Sequence, residues 1–143
     1  MVRFKNRYML FEVCWKDGRY DDTITEAALL ATFRDSLQQN FGDFGLGCAL
    51  ASFQVKYYNP VSNLCIVRCS RDEYRQVWAT LCLLTEVHHR AVLLRLLRLT
   101  GTVAACQKAT RVAHAAATAG RRLPAQQARA AEDAEARLAA MVV

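Results

Sequence analysis

An α/β sandwich, an α+β fold in which a mostly antiparallel sheet carries helices on one face, is the class that this 143-residue sequence predicts. Two segments, Arg7 to Trp15 and residues 48 to 58, alternate apolar and polar positions with the period of a half-buried strand. Two others, after Thr25 and after Asp72, repeat apolar residues every three or four positions, as one face of a helix does. Gly, Asn and Pro clusters separate them and turn the chain. The length admits one domain, large enough to bury a core without metal or disulfide support.

In order, Met9, Phe11, Val13 and Trp15 face one way along a first strand that Lys16-Asp17-Gly18 closes. Thr23 or Thr25 caps a helix with Ala27, Leu30, Phe33 and Leu37 inward, which Gly42, Gly45 and Gly47 are expected to break. The second strand sets Ala49, Ala51, Phe53, Val55 and Tyr57 against Ser52, Gln54, Lys56 and Tyr58, so Tyr57 is assigned to the core and Tyr58 to the surface. Tyr58-Asn59-Pro60-Val61-Ser62-Asn63 turns the chain into a short strand, Leu64 to Cys69, and the two pair as a hairpin. Ser70 or Asp72 opens a helix with Tyr74, Val77, Trp78, Leu81 and Leu84 buried and Arg71 and Arg75 outward. Residues 91 to 99 read as a buried strand, and Thr100-Gly101-Thr102 leads into an Ala-rich helix ending near Gly120. This order matches the topology of ferredoxin and RNA-recognition domains. The sandwich domain is expected to span residues 1–122. Residues 123–143 read as an Ala-rich tail, helical or mobile, with little apolar surface to dock.

Charge is segregated. The first 89 residues hold ten Lys/Arg and ten Asp/Glu, whereas Arg90 to Arg122 holds seven cations and no carboxylate. A surface that neutralises phosphates releases counterions and gains affinity for nucleic acid; a solvated face without a partner is the alternative. The six cysteines show neither a CxxC pair nor a Cys/His array at zinc spacing, and read as buried thiols in a reducing compartment. The basic N-terminus makes a poor secretory signal, and Arg95 and Arg98 interrupt the one long apolar stretch, so a soluble intracellular protein is expected.

Three groups of cations are candidates for phosphate contact. Arg3, Lys5 and Arg7 alternate along an extended segment, with a frayed terminus as the alternative. Lys108 and Arg111 lie three apart on a helix, with Gln107 beside them, and line one ridge. Arg95 and Arg98 lie three apart on a strand and are expected to leave opposite faces, one of them toward a sheet edge or a protein partner. His88 and His89 invite an acid/base reading, but no carboxylate or third histidine is placed by sequence to orient them.

Several stretches carry a resemblance in matching order. They are Met1-Val2-Arg3-Phe4-Lys5-Asn6-Arg7-Tyr8-Met9-Leu10, Phe33-Arg34-Asp35-Ser36-Leu37, Phe44-Gly45, Val55-Lys56-Tyr57-Tyr58-Asn59, the run from Ile66 to Trp78, Gly101-Thr102-Val103 and Cys106-Gln107-Lys108. Over most of residues 1 to 112 the chain resembles the small precursor-RNA-processing protein subunits of eukaryotic and archaeal ribonuclease P and ribonuclease MRP. The resemblance implies a non-catalytic subunit: RNA hydrolyses the phosphodiester with bound magnesium, and the protein holds no cofactor of its own. It implies the ribonuclease P/MRP RNA, precursor tRNA or precursor rRNA, a TIM-barrel-like protein subunit and other subunits as partners, no membrane, and a nuclear and nucleolar location. Thr100 stands where that family usually has glycine and Ala104 where it has a basic residue, and the resemblance lapses beyond about Val112. An architectural adaptor with little RNA contact, or a ligand-binding regulatory domain of the same topology, are the competing functions.

Overall fold

The computed structural model of the chain describes residues 5–21 and 23–142. Its elements are β1 (Asn6–Trp15), α1 (Glu26–Ala49), β2 (Gln54–Asn59), β3 (Leu64–Ser70), α2 (Tyr74–Leu83), β4 (Glu86–Val87), β5 (Arg90–Thr100), α3 (Val103–Thr118) and α4 (Ala125–Ala139). The five strands form one sheet in the order β2-β3-β1-β5-β4, with every neighbouring pair antiparallel. β1 lies at its centre because its side chains are apolar on both faces, an arrangement that suits a strand covered twice.

The alternation of β1 divides the core in two. Met9, Phe11, Val13 and Trp15 pack against Leu29, Phe33 and Leu37 of α1 and Val77 and Leu81 of α2. Tyr8 and Leu10, with Ile66 and Leu64 of β3, pack against Cys106 of α3 and Ala134 and Leu138 of α4. The antiparallel α/β class holds, but helices occupy both faces of the sheet instead of one. The second cover is the tail that was expected to find little to dock on. Ala134, Leu138 and Met141 recur at helical spacing and bury completely or nearly so, while alanine's small side chain lets the helix lie close to the strands. Polar bonds fix its position: Gln107 Nε2 donates to the Leu138 carbonyl at 2.8 Å, and Arg137 Nη2 to the Tyr58 carbonyl at 3.1 Å.

Three local departures follow from backbone geometry. α1 runs to Ala49, interrupted only at Gly42, whose φ of 72° no β-branched residue would adopt readily. Gly45 continues the helix, and a Cβ there would lie 2.5 Å from Phe41 Cβ, so its glycine serves close packing. β2 starts only at Gln54, and its pairing with β3 slips by one residue between Val55 and Tyr57. That bulge moves Tyr58 to the α1–α2 side and Tyr57 to the α3–α4 side, and because helices cover both faces the two are buried; burial pushes the Tyr58 hydroxyl up to about 12. β5 is only half covered: Val92 and Leu94 are buried, whereas Leu93, Leu97 and Leu99 are exposed.

All six cysteines are free. Cys65, Cys69 and Cys106 are buried, and burial raises their thiols, that of Cys69 to about 12. Cys14 is half-buried, but Cys48 and Cys82 are exposed, contrary to the expectation of buried thiols throughout. Among the described residues no helix is long and apolar enough to cross a membrane.

Candidate nucleic-acid interface

The late basic segment is partly compensated in three dimensions. Arg90 lies 4.2 Å over the Trp15 ring and grips Asp17 with two hydrogen bonds, Nε to Oδ2 at 3.0 Å and Nη2 to Oδ1 at 2.6 Å, with Asp21 at 3.5 Å. The hydrogen bond from Arg90 holds the Asp17 carboxyl down at about 2. Arg95 pairs with Glu12 on the neighbouring strand, and Arg111 Nε reaches Glu135 of α4 at 3.0 Å. Three of the seven cations therefore meet carboxylates that lie far away in the chain.

The strand cations are arranged differently from the alternation rule. Arg95 lies opposite Glu12 and Arg98 opposite Leu10, two residues of β1 that share a face, because the register of β5 slips around Leu97. One extra residue in a strand shifts the parity of all that follow. Arg98 thus joins Lys108 of α3 at a groove of about 550 Å³ between β5 and α3, also lined by Leu97, Ala109 and Val112. No carboxylate pairs with Arg98 or Lys108 among the described residues. Lys108 and Arg111 do not form one ridge: Lys108 borders this groove, Arg111 turns to α4, and Gln107 binds the α4 terminus.

Of the first group, Arg3 lies outside the described residues. Lys5 is exposed, and its carbonyl accepts from the Arg71 amide at 2.9 Å, which extends the β1–β3 ladder by one step. Because those strands are antiparallel, the start of β1 meets the end of β3, and α2 begins four residues later. This brings Arg7, Arg71 and Arg75 together around a pocket of about 430 Å³ with Asp72 and Tyr74. Arg7 is half-buried, donates to the Asn6 carbonyl at 3.1 Å, and lies along Gly101. Arg75 Nε donates to the Tyr74 hydroxyl at 3.3 Å, and its guanidinium stands 5.8 Å from that ring. Among the described residues none of the three arginines forms an ion pair. Sequence reading placed Arg71 and Arg75 only as outward-facing; the signal it lacked was the strand register that sets residue 71 beside residue 5.

His88 and His89 form the two-residue turn between β4 and β5, both with positive φ, of 51° and 63°. A carboxylate does stand by them, since Glu86 Oε1 lies 3.4 Å from His89 Nδ1, but His89 is almost fully exposed. His114 is engaged elsewhere, its Nδ1 3.2 Å from Asn59 Nδ2. Among the described residues no three His, Cys, Asp or Glu side chains converge as a metal site.

Comparison with known proteins places this geometry in context. The profile of the Rpp14/Pop5 family matches residues 7–111. The chain is 47% identical over 113 residues to the probable ribonuclease P/MRP protein subunit POP5 of Arabidopsis thaliana, covering 75% of each chain. It is 38% identical to ribonuclease P/MRP protein subunit POP5 of Schizosaccharomyces pombe, covering 72% of this chain and 81% of that one. A chain in the cryo-EM structure of yeast ribonuclease MRP shares the fold, with a TM-score of 0.57 at 10% identity over 72% of this chain and 79% of that chain.

Proposed function

The chain belongs to the Rpp14/Pop5 family, and on that premise we propose that it is a protein subunit of a ribonuclease P/MRP ribonucleoprotein. Its role is to bind the catalytic RNA and a protein partner, supporting removal of the 5′ leader from precursor tRNA or cleavage of precursor rRNA. The hydrolytic chemistry belongs to the RNA and its magnesium ions; the protein contributes fixed cations that lower repulsion between RNA and substrate phosphates. The proposed location is the nucleus and nucleolus.

One observation carries the RNA-binding part of the reading: the slip at Leu97 sets Arg98 and Lys108, unpaired with any carboxylate among the described residues, at one open groove. Paired cations such as Arg95 and Arg111 have their field cancelled locally and are removed from the set of phosphate contacts. Shape and phosphate recognition, not base reading, is the expected mode, since Tyr57 and Tyr58 are both buried.

The test is to tag the protein in its native cells, purify it gently, and assay release of a 5′ leader from precursor tRNA before and after nuclease digestion of copurifying RNA. Activity lost on digestion is the expected result. Activity that survives digestion points to a protein catalyst, and an eluate with neither RNA nor activity favours an architectural or ligand-binding role.

A further inference from the structure

We propose that the pocket formed by Arg7, Arg71 and Arg75 is a second RNA contact, a receptor for a backbone phosphate that is separate from the Arg98–Lys108 groove. This inference rests on the RNA-binding reading and adds to it a site, a ligand class and a set of residues.

The three guanidiniums come from three places in the chain, the start of β1, the segment after β3 and the first turn of α2, so the cluster is a product of folding. Like charges held together at one cavity repel unless an anion joins them. The protein supplies only part of that anion: Asp72 lines the pocket, leaving an excess of two positive charges, and no ion pair forms with it. Elsewhere the same fold pairs arginines with carboxylates, at Arg90, Arg95, Arg111 and Arg137; here three arginines line one pocket and none is paired among the described residues.

Arginine chemistry sets the ligand class. A guanidinium presents a planar fork of donors that matches two oxygens of a phosphate, and three forks around one pocket can share a phosphodiester's nonbridging oxygens. Arg7, half-buried along Gly101, forms the fixed floor. Arg71 and Arg75 are exposed and form the rim, Arg75 being steadied against the Tyr74 ring. The pocket of about 430 Å³ is polar and open, suited to an anion on a polymer and not to an enclosed metabolite.

The experiment uses the full chain. Its binding to a ribonuclease P RNA transcript is measured across a range of salt for wild type, Arg71→Ala/Arg75→Ala, Asp72→Asn and Arg98→Ala/Lys108→Ala. In parallel, arginine side-chain N–H signals are followed while inorganic phosphate is added. The double arginine variant is expected to lose about ten- to a hundredfold in affinity and to flatten the salt dependence by about 0.7 to 0.9 per lost phosphate contact. Asp72→Asn is expected to bind more tightly, because it removes the pocket's one negative charge. The signals of Arg7, Arg71 and Arg75 should move together with phosphate.

If the groove variant flattens the salt dependence but the pocket variant does not, the RNA-binding reading stands and this inference is overturned. Signals that respond to inorganic phosphate with RNA binding unchanged assign the pocket to a free phosphate compound and overturn it too. Weaker binding by Asp72→Asn, with thermal melting unchanged, rejects the anion site. A wild-type chain without salt-dependent RNA binding removes the functional reading and the inference together. Arg7→Lys, which keeps the charge and loses the fork, provides a milder variant of the half-buried floor.

Discussion

The side of the molecule built from β5 and α3 and the end where β1, β3 and α2 meet hold similar numbers of cations, yet differ in what surrounds them. On the first, Arg95 and Arg111 are each met by a glutamate from another element, and Arg98 and Lys108 stay unpaired among the described residues. On the second, Arg7, Arg71 and Arg75 share a pocket with one aspartate and form no ion pair among the described residues. Exposed pairs of the first kind contribute little to stability, but they cancel the field that a polyanion would sense. The lesson is that charge counted along the chain and charge offered to a partner are separate quantities, and cross-element pairing converts one into the other.

The largest effect should come from reversing the uncompensated end. Arg71→Glu/Arg75→Glu is expected to weaken RNA binding by a hundredfold or more, while Arg95→Ala/Arg111→Ala changes it less than about threefold. Parallel binding isotherms at one salt concentration check this, and equal losses for both variants would erase the distinction between the two regions.

A second test removes part of the compensation. Leu138 of α4 is fully buried against the sheet, and Leu138→Ala should cost about 2 kcal/mol of stability in urea unfolding, the low end for such a truncation because an Ala-rich helix can shift to close the gap. Loosening α4 also frees Arg111 from Glu135. A variant as stable as wild type would mean that α4 does not hold this face.

A smaller gain is expected from uncovering single cations: Glu12→Gln and Glu135→Gln should each strengthen RNA binding about two- to fivefold and steepen its salt dependence. No change in either would show that Arg95 and Arg111 stand away from the RNA even when unpaired.

The smallest effect concerns one carboxyl. Asp17 titrates at about 2 because Arg90 hydrogen-bonds to its charged form, so the contribution of this pair is complete above the ordinary carboxylate range and is lost as pH falls through about 2. Carbon-13 NMR of the side-chain carboxyl should show that midpoint, and Arg90→Ala should move it upward toward the ordinary range. An unmoved midpoint would separate the depression from Arg90.

Turn residues and an apolar run located the β2–β3 hairpin, β5 and α3, while periodicity located β1 and α2, whose buried residues recur at the spacing of the element. It missed the role of α4, whose docking uses Ala134, Leu138 and Met141, a sparse stripe hidden among alanines that carry no polarity signal. Along β2 and β5 alternation fails after a single extra residue, so Tyr58, expected at the surface, lies on the face of Val55, and Arg95 and Arg98, expected on opposite faces, share one. The pocket of Arg7, Arg71 and Arg75 depends on register between distant strands, information that composition and spacing do not carry. Arg98 and Lys108 were both candidates in the sequence, but their meeting at one groove required the tertiary fold.

The slip at Leu97 also bears on how this surface can change by insertion and deletion. Leu97 is the extra residue opposite β1, so a chain lacking it would keep Arg98, Leu99 and Thr100 opposite Leu10, Met9 and Tyr8 and lose only the bulge. A gap of one position here therefore leaves the charge of this face as it is. Two chains that differ by it would present the same cations to a common partner.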